Sequence, residues 1–174
     1  MTLTGRTGQM QVLAALAVLV GMALTVGTAL GFQHIGGFIP CKLCLEQRVP
    51  YYVGMPVAAL ALASAAFGGP GALTRLLLVA AGGLMLWGLG LGVYHSGVEW
   101  GWWAGPTDCG AVAAPADTGG QGILDALDRF VPPSCDEAAG RFLGLSFAGW
   151  NVLASLALAA IALAGALAGG RARR

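Results

Sequence analysis

Pro40-Cys41-Lys42-Leu43-Cys44-Leu45-Glu46-Gln47-Arg48 is a short polar break between two long hydrophobic stretches. No Asp, Glu, Lys or Arg occurs from Thr7 to Cys41, from Val49 to Thr74, from Leu76 to Val98, or from Phe142 to Gly170. Each run accommodates the ~20 apolar residues that a membrane-spanning helix requires. Hydrophobic residues make up 57% of the chain and charged residues 10%, far from the balance of a soluble domain. The expected fold is therefore an all-α membrane protein: one integral membrane domain over 1–174, built as a four-transmembrane-helix bundle. Spans are expected near 10–31, 49–67, 75–94 and 145–167, with loops near 32–48 and 95–144. A cleaved signal peptide is the rival reading of the N-terminus, because Arg6 precedes an apolar run. Met10 to Leu30 exceeds the ~7–15 residue core of such signals, so the run reads as a retained span.

An even number of spans puts both termini on one side. Arg6, Arg75, Arg171, Arg173 and Arg174 fall on that side with no acid, whereas Lys42, Arg48, Arg129 and Arg141 share the other with all eight acids. The Lys/Arg excess is small but lies in short segments beside span ends, where the positive-inside bias acts. Both termini are thus expected in the cytoplasm, with all four cysteines facing away from it.

An oxidising exterior allows these thiols to exist as disulfides, and four cysteines permit three pairings. Cys109 and Cys135 alone would read as a staple for the long loop. Cys41 and Cys44 do not, because chain-entropy stabilisation grows with the size of the closed loop and two intervening residues close a very small one. Redox exchange suits that spacing better. Zinc is a competitor, using Cys-x-x-Cys with the other cysteines, His34 or His95. However, no histidine lies at ligand spacing beside Cys109 or Cys135, and no metal is expected.

Arg48 lies four residues after Cys44, on the same face of any helix that begins near that cysteine. Thiolate is the form that performs exchange, and a nearby cation lowers a cysteine pKa, so Cys44 is the expected stabilised thiolate. The plainer reading of Arg48 is a span-end side chain snorkelling to the interface. Between the later cysteines, Ile123, Leu124, Leu127, Phe130 and Val131 recur at helical spacing, which predicts a short amphipathic helix in the long loop. It is expected to lie on the bilayer surface or against the bundle. Gly101, Gly105, Pro106, Gly110, Pro115, Gly119, Gly120 and Gly122 punctuate the same loop. Trp100, Trp102 and Trp103 are expected as interfacial anchors. Gly27 with Gly31, and Gly88 with Gly92, are small residues at a spacing that allows close helix approach.

Phe32-Gln33-His34 followed by Pro40 to Arg48 resembles the first extracytoplasmic loop of the disulfide bond formation protein B family (DsbB). The resemblance continues through Tyr94-His95, Cys109, Cys135, Phe142-Leu143-Gly144-Leu145 and Trp150, covering nearly the whole chain. It implies a four-helix enzyme of the bacterial inner membrane that reoxidises a periplasmic thioredoxin-like (DsbA-like) oxidase and passes two electrons to ubiquinone or menaquinone. On matching positions it implies a Cys109–Cys135 disulfide that meets the partner through Cys109, and a Cys41–Cys44 disulfide that exchanges with it. Cys44 would deliver electrons to the quinone, with Arg48 and His95 helping to bind it. Two other readings are a membrane redox enzyme of the vitamin K epoxide reductase type and a non-enzymatic scaffold stapled by disulfides or binding metal. In the former the active Cys-x-x-Cys belongs late in the bundle, whereas here it follows the first span. No phosphate loop, acidic dyad or basic stripe is present, and a net charge of +1 gives no reason to expect a nucleic-acid partner.

Overall fold

A computed structural model describes residues 7–107, 109 and 134–168. The first helix, α1, runs from Gln9 to His34. A short α2 (Lys42–Glu46) leads almost directly into α3 (Val49–Ala66), followed by α4 (Gly71–Glu99) and, after the long loop, α5 (Phe147–Leu167). The segments Gln9–His34, Lys42–Ala66, Gly71–Glu99 and Phe147–Leu167 are each long and apolar enough to cross a membrane. The chain is a multi-pass membrane protein with a four-helix bundle. Helix α1 packs against α3 and α5, and α4 packs against the same two, so the helices follow the order α1, α3, α4, α5 around the bundle.

Only 28–33% of the residues in each span are buried against protein. The buried stripes are rich in small side chains: Ala15, Ala58, Ala61, Ala81 and Ala162 are fully enclosed, with Val18, Met22, Tyr51, Leu78 and Met85 filling the space between them. Leu24, Leu60, Leu76 and Leu153 point outward. In lipid such exposure carries no hydrophobic penalty, and close backbone approach through small residues drives association instead. Gly88 and Gly92 follow this rule. A Cβ on Gly92 would stand 3.0 Å from the Val152 side chain and 3.3 Å from its backbone nitrogen, and one on Gly88 would stand 3.1 Å from Ser155 Oγ. Gly27 and Gly31 depart from it, since nothing lies within 4 Å of a Cβ at either position.

The helix ends position the site. Helices α1 and α4 extend past the expected boundaries, so His34, His95 and Glu99 are helical. Gly101, at a φ of +71°, ends α4. Its N–H donates to the Val98 carbonyl and that of Trp102 to the Gly97 carbonyl, satisfying two otherwise orphaned acceptors. The reversal lays Trp103 back along the helix: its indole N–H donates to the Tyr94 carbonyl at 2.8 Å, and its ring stacks on that of Tyr94. Trp100 and Trp102 stay exposed, as interfacial anchors would.

One element departs from an all-α reading. Arg141–Phe142 (β1) and Leu145–Ser146 (β2) form a minimal antiparallel ladder. Leu143 and Gly144, both at positive φ, make the connecting two-residue turn, the geometry that matches hairpin twist. Ser146 then caps α5, its Oγ accepting from the Gly149 N–H at 3.2 Å. The amphipathic stretch from Ile123 to Val131 lies outside the described residues. So do Gly110, Pro115, Gly119, Gly120 and Gly122 of the loop, and the charge-bias residues Arg6, Arg129, Arg171, Arg173 and Arg174.

Gly92→Leu is expected to overpack the α4–α5 contact and destabilise the protein by about 1–3 kcal/mol, whereas Gly27→Leu, which meets nothing, is expected to be neutral. Thermal unfolding in detergent, with both variants side by side, checks this.

Candidate redox site

All four cysteines gather at one end of the bundle. Cys41, Cys109 and Cys135 are buried in a single apolar cluster with Leu43 and Val98, and Cys44 packs against it. Cys109 and Cys135 are joined by a disulfide with their Cα atoms 6.0 Å apart. Cys41 and Cys44 are free thiols whose sulfurs lie 2.8 Å apart. The Cys41 sulfur, the Cys135 sulfur and a ring nitrogen of His95 all lie within 4.8 Å of one another. The inner and outer pairs therefore meet at Cys41 and Cys135.

The local fold explains why Cys41 holds the central place. Helix α2 begins one residue after it, so Cys41 is the N-cap and its sulfur accepts the Cys44 backbone N–H at 3.3 Å. From the other side, His95 Nε2 approaches the same sulfur to 3.7 Å. Hydrogen bonds to the charged form of a thiol favour it. The Cys41 pKa is lowered to about 5 from an ordinary 9.0, first by the Cys44 thiol and then by His95 and the Cys44 N–H, against the cost of burial. This corrects the expectation that Cys44 carries the stabilised thiolate. That expectation started the helix near Cys44, whereas the helix starts at Lys42 and directs its donors at Cys41.

Cys44 and Arg48 instead share a cavity of about 570 Å³ between α1, α3 and α5. Its walls are mainly apolar, including Leu24, Phe32, Phe38, Ile39, Phe147 and Trp150, with Gln33, Gln47 and Asn151 among the few polar groups. Phe32, Phe38 and Phe147 pack ring against ring at centroid distances of 4.9–5.9 Å. Leu24 and Trp150 line the cavity while remaining partly exposed, so it opens on the lipid-facing side of the bundle. The Arg48 side chain is half-buried, and its Nη1 donates to Gln33 Oε1 at 2.6 Å. It is fixed to α1 rather than stretched freely into the interface. The volume, apolar walls and few fixed donors suit a flat, lipid-soluble molecule with polar ring substituents.

His95 is not among the residues that line this cavity. Its Nε2 faces the Cys41 sulfur at 3.7 Å, and its Nδ1 meets Gln47 Nε2 at 2.6 Å. As a metal donor set, Cys41, His95 and Cys135 are incomplete. The Cys135 sulfur is committed to Cys109, which leaves two donors of this set among the described residues where a structural zinc takes four. His34 is exposed at the end of α1.

Several residues of the site escaped the sequence reading. Gln47 Nε2 also donates to the Leu43 carbonyl, and Gln47 Oε1 accepts from Asn151 Nδ2 at 2.7 Å. Asn151 Nδ2 donates to the Gly88 carbonyl, and Asn151 Oδ1 accepts from the Tyr51 hydroxyl, which also meets Ser155 Oγ. Glu99 lies one turn beyond His95, with its Oε1 3.9 Å from Nε2. A polar residue inside a spanning segment is itself a signal, since such groups are costly unless paired. Gln47 with Tyr51, and Asn151 with Ser155, show it at helical spacing, but nothing in one sequence says that they meet.

The family model for disulfide bond formation protein DsbB matches residues 11–165. No curated protein and no solved structure matches the chain. The chain belongs to the DsbB family, whose members are membrane proteins of disulfide-bond formation with oxidoreductase activity.

Because folding lowers the Cys41 pKa, its ionised form stabilises the folded dithiol most fully above the ordinary value of 9.0. That contribution is lost as pH falls through about 5. With Cys109 and Cys135 replaced by alanine, thiolate absorbance of the reduced protein is expected to show one ionisation near pH 5 that Cys41→Ser removes.

Proposed function

We propose that this DsbB-family protein is a thiol:quinone oxidoreductase that reoxidises a thioredoxin-like (DsbA-like) oxidase and delivers two electrons to a membrane quinone, ubiquinone or menaquinone. The observation that supports it is one continuous path: the Cys109–Cys135 disulfide reaches Cys41 through Cys135, Cys41 touches Cys44, and Cys44 lines a lipid-facing cavity beside Arg48. In this reading the chain sits in the bacterial inner membrane with both termini in the cytoplasm and the cysteine end in the periplasm.

Exchange proceeds by thiolate attack on a disulfide sulfur, with the displaced sulfur leaving as thiolate. A partner thiolate attacks Cys109, forming a mixed disulfide and releasing Cys135. The freed Cys135 thiolate attacks Cys41 of the Cys41–Cys44 disulfide; a Cys135–Cys41 bond forms, and Cys44 leaves with the electron pair. The partner's second thiolate resolves the mixed disulfide, so the partner departs oxidised and Cys109 is released. Attack of Cys109 on Cys135 then restores the outer disulfide and leaves Cys41 and Cys44 reduced.

Re-forming the Cys41–Cys44 bond from the Cys41 thiolate and the Cys44 thiol releases two electrons and one proton; a quinone supplies the acceptor and takes its second proton from solvent. In the cavity Cys44 presents the sulfur, Arg48 holds a fixed cation that favours negative charge arising beside it, and the aromatic walls exclude water. The stabilised Cys41 thiolate is the nucleophile that closes the disulfide on Cys44, as an electron pair passes from the Cys44 sulfur to the acceptor.

Purified protein given a reduced thioredoxin-like partner is expected to reduce added quinone mole for mole with partner oxidised. No quinone reduction, with both disulfides intact, would leave a stapled scaffold. Cys135→Ala is expected to trap Cys109 in a mixed disulfide with the partner, identifiable by peptide mapping. Arg48→Ala is expected to raise the apparent KM for quinone about tenfold or more, with partner exchange changed much less; equal KM values in variant and parent would remove Arg48 from the quinone site.

A further inference from the structure

The polar groups behind Cys41 form a hydrogen-bond chain with a defined direction. Two backbone carbonyls, which only accept, fix that direction. Asn151 Nδ2 lies 3.3 Å from the Gly88 carbonyl, so this atom of the amide is the donor and Oδ1 faces the Tyr51 hydroxyl. Gln47 Nε2 lies 3.2 Å from the Leu43 carbonyl, so the Gln47 amide is oriented likewise, with its Oε1 on Asn151 Nδ2. A primary amide nitrogen carries donors and no available acceptor. At 2.6 Å it faces His95 Nδ1, which must therefore be the unprotonated ring nitrogen. In a neutral imidazole the proton then resides on Nε2, the atom that approaches the Cys41 sulfur.

We propose that Gln47 is a positioning residue that fixes His95 in its Nε2–H tautomer, so that a donor is aimed at the Cys41 sulfur. It rests on the proposed redox reading only for its purpose; the tautomer is a property of the folded protein. The consequence is chemical. Held this way, His95 cannot act as a base toward the Cys41 thiol, because its nitrogen on that side already bears the proton. It acts as a donor, stabilising Cys41 as thiolate after reduction and as the attacked sulfur's neighbour during exchange with Cys135. Glu99 Oε1, 3.9 Å from the same nitrogen, is compatible with a proton there.

Among the described residues, Glu99 and Cys41 are the titratable groups that approach the ring. Glu99 comes from α4 itself and Cys41 from the N-cap of α2. Helix α5 contributes the neutral Asn151, through Gln47; the described part of the long loop contributes Cys135 in its disulfide, and Arg48 is turned toward Gln33.

The chain has two histidines, so nitrogen-15 labelling of histidine, with His34→Gln to remove the exposed one, yields a spectrum of His95 alone. The expected spectrum at neutral pH has the proton on Nε2; a proton on Nδ1 would overturn the proposal without any substitution in the network. Gln47→Leu is expected to abolish the tautomer preference and weaken the Cys41 thiolate equilibrium about tenfold, read as a rise of about one pH unit in its titration. Gln47→Glu, which offers an acceptor to Nδ1–H, is expected to shift the proton there or to protonate both nitrogens. A tautomer and titration unchanged in both variants would also overturn it. Neither readout requires quinone or partner, so absent quinone reduction with the expected tautomer would count against the proposed activity and not against this inference.

Discussion

The Cys41 sulfur has four neighbours at once, and the rest of the site follows from them. As N-cap of α2 it accepts a backbone N–H; through that turn it is held against Cys44; and its remaining face meets His95 and Cys135. A sulfur so surrounded is stabilised as an anion and stands between an outer disulfide and an inner cavity. Moving the helix start by one residue would aim the same donors elsewhere and separate the two pairs.

The bundle is built to hold that point. Small residues along α4 and α5, Gly88 and Gly92 among them, bring those helices close enough for Asn151 to reach both the Gly88 carbonyl and Gln47. In an apolar interior an unpaired amide or hydroxyl costs several kcal/mol. The groups of Tyr51, Asn151, Ser155 and Gln47 are joined to one another, so the stability of the bundle and the orientation of His95 are coupled. The aromatic side chains at the same end divide into two sets. Phe32, Phe38 and Phe147 wall the cavity, and Trp103 folds over Tyr94 at the end of α4.

Much of this was legible in the sequence. Runs without charge marked the four spans, since lipid tolerates no other pattern, and the Cys-x-x-Cys with Arg48 marked the cavity edge because spacing along a helix fixes which side chains share a face. The placement of Cys44 and Arg48 on one cavity followed. The assignment of the thiolate did not, because it turned on whether the helix begins at residue 42 or 44, a boundary that spacing alone does not define. His95 was seen as a site residue, but its bond to Gln47 was not, since Gln47 is held by tertiary contacts to Asn151 on another helix. The hairpin at 141–146 was hidden because Leu143, an apolar residue at positive φ, is an unusual choice for its turn.

The meeting of Cys41 with Cys135 is the contact on which the electron path stands or falls. Mild oxidation of a Cys44→Ala, Cys109→Ala variant, followed by peptide mass mapping, tests it directly. An intramolecular disulfide joining Cys41 to Cys135 is the predicted product. Two free thiols, or crosslinks formed only between molecules, would contradict it.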